Sequence, residues 1–462
     1  MTAQTGRIAL VSHDTIGDRM AGPGIRYTCI ARALAKHVDL TLAIPAQSPQ
    51  WREAHTDAFD VQRYTHGRWD TLAPILSGAD VVICPPDTLS DFPQLSDGNW
   101  ALAFDDYDPL LSEWLSAAAL CDWEWQSVGW AHRMKTLTPH LLHGDFFFCA
   151  SERQRDWMLG MLEASGRLNP HTYAEDRTLR RLIDIVSTGL SPEAPLPTRR
   201  TFRDGWAGVA HDDVLALWGG GLWPWLDPLT AVRAVYQARA QLPQLKLLFP
   251  GTRLPNPDMS AIRTLLPETR ELVGSLNMTD AVLFGDWLPY EEWPNALLDA
   301  DIALTLHHES FETRLAFRSR VLDYLWAGLP IVATAGDATA ELIQHYGAGA
   351  IVPPGDVDAA ANAIVQLVRA GRPVPGADFE RARRELDWDV VVQPLLNFCR
   401  HPRIAPDKLA RREMIGPPFF VEPLAHESTE HRRWQSIAEE LAARRLVRLA
   451  NRVRRSRWNP LR

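Results

Sequence analysis

The sequence is poor in lysine and lacks any close pair of cysteines. Lys36, Lys135, Lys246 and Lys408 are its only lysines among 48 basic residues. Such an arginine bias fits a GC-rich coding sequence and names no function. The five cysteines, Cys29, Cys84, Cys121, Cys149 and Cys399, are scattered without a C-x-x-C pair. That excludes the usual zinc spacings and a disulfide scaffold, and fits reduced thiols. No apolar run approaches the roughly 18 residues of a membrane span, so no transmembrane helix is expected. Met1–Leu10 carries one arginine and leads straight into a strand-like run. Without an h-region or cleavage signal, a cytoplasmic rather than a secretory location is expected. Neither a repeat nor a low-complexity segment occurs. The net charge of −9 speaks against wholesale nucleic-acid binding.

What is present is an ordinary packed composition, 46% hydrophobic and 23% charged over 462 residues. That length implies two large domains or about three smaller ones. Tryptophan is abundant: 18 residues against 15 Phe and 8 Tyr. Its flat faces either fill a core or stack on sugars and bases.

Short apolar runs alternate with helical stretches. Arg7–Ser12, Val38–Ile44, Asp80–Cys84, Trp100–Phe104, Phe146–Ala150 and Ile183–Val186 read as strands of a first unit. After a proline-rich stretch at Ser187–Pro197, the pattern restarts. Val214–Trp218, Leu245–Phe249, Val282–Phe284, Asp301–Leu306 and Ile331–Thr334 are the strands of a second unit. This alternation predicts an α/β protein of two doubly wound, Rossmann-like domains with a hinge near 187–197. Ligands of such sheets sit at the strands' carboxyl ends, which here means the cleft between the halves.

Chemistry-bearing residues follow several of these strands. Gly219, Gly220 and Gly221 stand between a strand and a helix that begins with Asp227 as N-cap and Pro228 in its first turn. Such a turn lets backbone N–H groups approach a pyrophosphate, though a plain tight turn has the same composition. It is neither a G-x-G-x-x-G nor a Walker motif. A second cluster, His307–Arg320, puts Glu309, Glu312, Thr313, Arg314, Arg318 and Arg320 after a strand, and Asp323 on a helix expected over Ala316–Ala327 with Gly328 as its cap. Arginines suit bidentate phosphate contacts and a carboxylate suits ribose hydroxyls, where a solvated ion-pair face is the plainer alternative. Asp105, Asp106 and Asp108 follow a strand of the first half; Asp105 and Asp108 are candidates to orient an acceptor hydroxyl or take its proton, unless they only shape a turn. His13 and Asp14 occupy the same kind of position. Arg253 and Trp287 follow two further strands of the second half.

Val321–Thr334, continued by Asp337–Glu341, Gly347–Asp356 and the helix Asp358–Val368, resembles the C-terminal-domain signature of glycosyltransferase family 4, of the GT-B fold. The matching core is roughly residues 212–370. Gly22, Gly24 and Arg26 resemble the family's N-terminal glycine loop near the donor phosphates, and Trp388–Arg400 resembles the helix that crosses back to the first domain. The resemblance implies transfer of a sugar from a nucleoside-diphosphate sugar, with retention and without a metal or other cofactor. Asp323 then matches the acidic residue that holds the nucleotide ribose. The family's sugar-facing Glu falls on Leu315, so Glu312, or else Glu309, is expected in that role. No basic residue stands beside Gly219–Gly221, so Arg253, Arg314, Arg318 or Arg320 must neutralise the diphosphate. Arg253 and Trp287 would border the base. An epimerase of the same architecture and a non-catalytic nucleotide-sugar-binding protein are the alternatives.

The expected organisation is 1–192 on the acceptor side, 193–385 on the donor side, 386–430 as crossover and extension, and 431–462 as a basic tail. That tail holds ten Arg and two Glu. Ala442, Leu446, Leu449, Ala450 and Val453 form one apolar stripe on it, with arginines opposite. A helix of this kind fits an anionic membrane surface, or packs on the acidic body. Peripheral membrane contact and a lipid-linked acceptor are therefore open at this level, alongside a soluble acceptor.

Overall fold

The computed structural model describes residues 6–49, 58–253 and 264–408. The tail 431–462, with its expected amphipathic helix, lies outside the described residues.

Two parallel sheets carry the fold. The first contains β1 (Arg7–Val11), β2 (Asp39–Pro45), β3 (Asp60–Tyr64), β4 (Val81–Cys84), β5 (Ala101–Asp105), β6 (Phe146–Cys149) and β7 (Ile183–Ile185), in the order β3-β2-β1-β4-β5-β6-β7. The second contains β8 (Val214–Leu217), β9 (Leu245–Phe249), β10 (Val282–Phe284), β11 (Ile302–Thr305), β12 (Ile331–Thr334) and β13 (Gly349–Val352), in the order β10-β9-β8-β11-β12-β13. Both are doubly wound α/β sheets, as the alternating pattern predicts. Central strands such as β4 and β6 are apolar and buried at every position, because helices cover both faces. Two strands escape the pattern for a physical reason. Strand β3 is a polar sheet edge with only Tyr64 buried, and β13 opens on a glycine.

Strand order reverses between β1 and β4 in the first sheet and between β8 and β11 in the second. At such points neighbouring connections leave in opposite directions and open a crevice. The loops after β1, β4, β8 and β11 therefore hold the residues that can meet a ligand.

The chain crosses between domains twice, and the two crossings pair. The Leu190 N–H donates to the Leu386 carbonyl at 2.6 Å, and the Trp388 N–H donates to the Leu190 carbonyl at 3.2 Å. Helix Gln393–Arg400 then packs on the first sheet. It buries Leu395, Leu396, Phe398 and Cys399, and Phe398 stacks on Phe146 at 4.9 Å. This is the return helix that the resemblance implies, preceded by a separate turn at Trp388–Val391.

Candidate active site

A cavity of about 340 Å³ lies between the domains. The first domain contributes Ser12, His13, Asp14, Gly22, Asp87, Asp108 and Glu113, and the second contributes Gly219, Gly220, Gly221, Trp223, Trp225, Arg318, Arg320 and Asp323. Both switch points thus open into one space.

The glycine turn sits where the sequence places it. The Gly219 N–H donates to the Tyr324 hydroxyl at 2.8 Å, which ties the turn to helix Ser319–Ala327. Gly220 has φ +80°, and a Cβ there would stand 3.4 Å from an Arg320 guanidinium nitrogen. The turn therefore needs glycine, for its left-handed backbone and for room above Arg320. Beyond it, Asp227 caps helix Pro228–Ala238 by accepting from the Thr230 N–H at 2.9 Å.

Arg320 lies under this turn with its guanidinium 5.7 Å from the Trp218 ring. Its Nη1 is shielded from solvent and has no hydrogen-bond partner. Burial lowers its pKa to about 10, still far above neutrality. A cation held in this way is stabilised by an anion arriving from the cleft. Asp323, one turn further along the same helix, accepts from the Trp293 indole N–H at 2.9 Å. Burial raises its pKa to about 6, against that hydrogen bond and Arg320. It lines the cleft as an acceptor for hydroxyl groups.

Several expected contacts are corrected. Glu312 does not face the cavity: Arg318 holds both its oxygens at 2.6 and 2.7 Å, and its side chain is fully buried. Burial disfavours the Arg318 charge, but the attraction of Glu312 and Asp337 outweighs this and raises its pKa. Glu312 thus aims Arg318, which lines the cleft. The helix expected from Ala316 starts at Ser319 and ends at Gly328 as expected, and a separate helical turn at Phe311–Leu315, capped by Ser310, precedes it. Thr313 spends its hydroxyl on the His308 carbonyl at 2.6 Å. Glu309 and Arg314 are exposed and do not line the cavity. Arg253 is also exposed, 3.6 Å from Asp286.

On the first-domain side, Asp105 is corrected as well. Asp105 lines the cleft, but Arg26 grips both its oxygens at 2.8 and 2.9 Å, so its carboxylate is held in a buried ion pair. Arg26 is therefore a buried structural cation. Gly24 serves packing, since a Cβ there would lie 2.6 Å from the Thr15 carbonyl oxygen. Gly22, at the start of helix Gly22–Ala35, does line the cleft. Asp106 is bonded to His140 at 2.9 Å. Asp108 remains in the cavity wall, and burial raises its pKa to about 7. Beside it is Glu113, which nothing in the sequence singled out. Burial, then Asp108 and Glu312, push Glu113 far above the usual carboxylate range. His13 also lines the cleft, 3.4 Å from Asp87.

Trp287 borders the cavity and bonds across it, its indole N–H donating to the Met20 carbonyl at 2.9 Å. Trp223 and Trp225, stacked at 5.5 Å, add a flat aromatic wall that the sequence analysis did not single out.

Residues 216–370 match the protein family described as Glycosyl transferases group 1. A curated relative, chitobiosyldiphosphodolichol beta-mannosyltransferase of Debaryomyces hansenii, is 29% identical over 98 residues, 21% of this chain. The match spans only about a fifth of that relative's length. Among solved structures, sucrose-phosphate synthase from Thermosynechococcus elongatus superposes with a TM-score of 0.61 at 16% identity, over 86% of this chain and 98% of the other. HepE of Anabaena, solved in complex with UDP-glucose, gives 0.59 at 16% identity, over 85% and 98%. At such identities the structural likeness speaks for the fold. The chain therefore has the GT-B fold, and its Glycosyl transferases group 1 domain at residues 216–370 places it in the glycosyltransferase superfamily.

Proposed function

We propose that this protein moves a sugar from a nucleoside-diphosphate sugar to an acceptor hydroxyl, with retention at the sugar carbon and without a metal ion. The observation that carries this reading is Arg320, a shielded cation with an unsatisfied Nη1 beneath the Gly219–Gly221 turn. In this reading the diphosphate lies between the turn and Arg320, with Arg318 as second cation and Asp323 on the ribose hydroxyls. As the bond to the sugar breaks, negative charge gathers on the leaving diphosphate. Fixed cations and backbone N–H groups stabilise that charge without reorganising. Protein cations thus take the part a metal would take, and activity is expected to survive a chelator. The stacked Trp223 and Trp225 offer a face for the base or the sugar. Asp108 is the group best placed to orient the acceptor hydroxyl and receive its proton, its pKa of about 7 suiting that exchange near neutrality. Retention follows from the resemblance, with the acceptor attacking from the face the diphosphate leaves.

HepE, solved with UDP-glucose, and a relative named as a mannosyltransferase make UDP-glucose and nucleotide-linked mannose the first donors to try. Among the described residues no helix is long and apolar enough to cross a membrane. A cytoplasmic setting is part of the proposal, supported by the five free cysteines. Release of nucleoside diphosphate that depends on acceptor tests the transferase reading. Conversion of a nucleotide sugar without any acceptor would favour the epimerase.

A further inference from the structure

His13 follows the first strand, and sugar transfer as proposed leaves it without a task. It belongs to a second cluster. The loop after β1 carries His13, the turn after β3 carries His66, and the short helix Thr88–Asp91 after β4 ends on Asp91. These strands lie close together in the first sheet, in the order β3-β2-β1-β4, so their carboxyl-end loops gather. One ring nitrogen of each histidine and one oxygen of Asp91 lie within 4.8 Å of one another. His66 Nδ1 and Asp91 Oδ2 are already 3.2 Å apart. The two imidazole rings rest against each other with centroids 4.6 Å apart.

Ion pairing alone does not account for the whole cluster. The Nδ1 of His13 is shielded from solvent and has no hydrogen-bond partner, while its Nε2 is 3.4 Å from Asp87. A carboxylate beside one ring nitrogen keeps the proton there and leaves the other nitrogen with a free lone pair, which is how metal-bound histidines are oriented. The site also has a firm backing. Tyr64 is buried, sets its ring edge against His66 at 5.2 Å, and donates its hydroxyl to the Ser12 carbonyl at 2.8 Å. Asp87 and Asp91 bring two negative charges to this group. The neighbouring cations are engaged elsewhere: Arg63 donates to the Ser48 carbonyl at 2.7 Å, and Arg68 pairs with Asp70 at 2.6 Å.

We propose that His13, His66 and Asp91 bind a divalent transition-metal ion of the Zn²⁺ class, with Asp87 orienting His13 from behind. Two imidazoles and one carboxylate suit Zn²⁺, whereas Mg²⁺ and Ca²⁺ prefer oxygen donors throughout. With bonds of about 2.0 Å, donors on one tetrahedral zinc stand about 3.3 Å apart. The His66–Asp91 spacing already matches, and side-chain rotation closes the rest. The ion displaces the proton held between His66 and Asp91, which passes to solvent. It clips three loops together at the carboxyl edge of the first sheet. His13 and Asp87, which line the cleft, are fixed with them. All four residues belong to the first domain, whereas Arg318 and Arg320 come from the second, so the inference stands apart from sugar transfer.

The test is equilibrium dialysis of the full chain against Zn²⁺ at micromolar concentration with elemental analysis, and titration with Co²⁺ as a spectroscopic probe. It compares wild type with His66→Gln and with Asp91→Asn. Wild type is expected to load one ion per chain and to give the visible absorption of Co²⁺ in a low-coordinate site with nitrogen donors. Each variant is expected to bind at least about tenfold more weakly. Zn²⁺ should raise the melting temperature of wild type by mass action and leave that of the variants unmoved. Nucleotide-sugar binding should be the same in all three, with or without the ion, which separates this site from the donor site. Asp91 is exposed, so Asp91→Asn carries the comparison should His66→Gln misfold. Loading far below one ion per chain overturns the proposal and leaves the cluster to ion pairing. Variants that load as wild type does overturn it as well, giving the ion to other donors such as the exposed Cys121 thiol.

Discussion

At the scale of single residues, the site separates cations that hold a carboxylate by hydrogen bonds from one that does not. Arg26 and Arg318 each hold a buried carboxylate with two hydrogen bonds, whereas Arg320 has none for its Nη1. Stability and function should therefore diverge at these positions. Arg320→Met is expected to leave the melting temperature unchanged or raised, because it removes a desolvated cation that holds no carboxylate by a hydrogen bond. The same variant should weaken nucleoside-diphosphate binding by one to two powers of ten, roughly what charge-assisted hydrogen bonds contribute; calorimetry reads this directly. Glu312→Ala should do the reverse first. It strands Arg318, costs about 3 kcal/mol or more in denaturant unfolding, and lowers turnover through the misplaced guanidinium. Asp323 gives a pH signature. With its pKa near 6 in the fold, it is protonated below that value and loses acceptor capacity. Donor affinity should accordingly rise as pH increases through about 6, and Asp323→Asn should flatten that limb relative to wild type. Folding stability runs the other way. A carboxyl that keeps its proton in the fold, but has lost it in the unfolded chain, contributes stability at low pH. That contribution fades as pH rises from about 4 toward 6.

At the scale of elements, the apolar strands and their loops were legible, while most side-chain partners were not. Strands such as β4 and β6 announce themselves because every position is buried, whereas the polar edge strand β3 obeys no such rule. The Asp227 cap and the Gly328 stop are local signals, and both are present. Glu312 and Asp105 were misread because spacing places a carboxylate on a loop without saying which arginine reaches it. The partner of Asp105 is 79 positions away. Glu113 was missed for the converse reason, since nothing local to helix Leu110–Ala118 shows that its one glutamate faces the second domain. The turn after β8 makes a prediction of its own. Gly220→Ala is expected to cost about 1–2 kcal/mol for the left-handed backbone, and to press on Arg320 as well. Donor affinity should then fall more than the stability loss alone accounts for, read by calorimetry at a temperature where the variant is fully folded.

At the scale of the whole molecule, the account rests on two crevices that face each other across paired interdomain crossings. Side chains already span the cleft: Gln154 donates to the Leu315 carbonyl at 2.8 Å, and Trp287 donates to that of Met20. A donor bridging the second-domain turn and the first-domain loop is expected to tighten this arrangement and exclude water, which limits wasteful hydrolysis. Ligand that binds only the folded chain raises the melting temperature by mass action, so the central claim has a direct readout. The measurement is thermal unfolding of wild type and Arg320→Ala against UDP-, GDP-, ADP-, CMP- and dTDP-linked sugars. The account predicts that at least one of the diphosphate-linked sugars stabilises wild type in a concentration-dependent way and that Arg320→Ala loses most of that shift. If no nucleotide sugar shifts the wild-type melting temperature, or if Arg320→Ala responds as wild type does, the claim that this cleft holds a nucleoside-diphosphate sugar on Arg320 is contradicted.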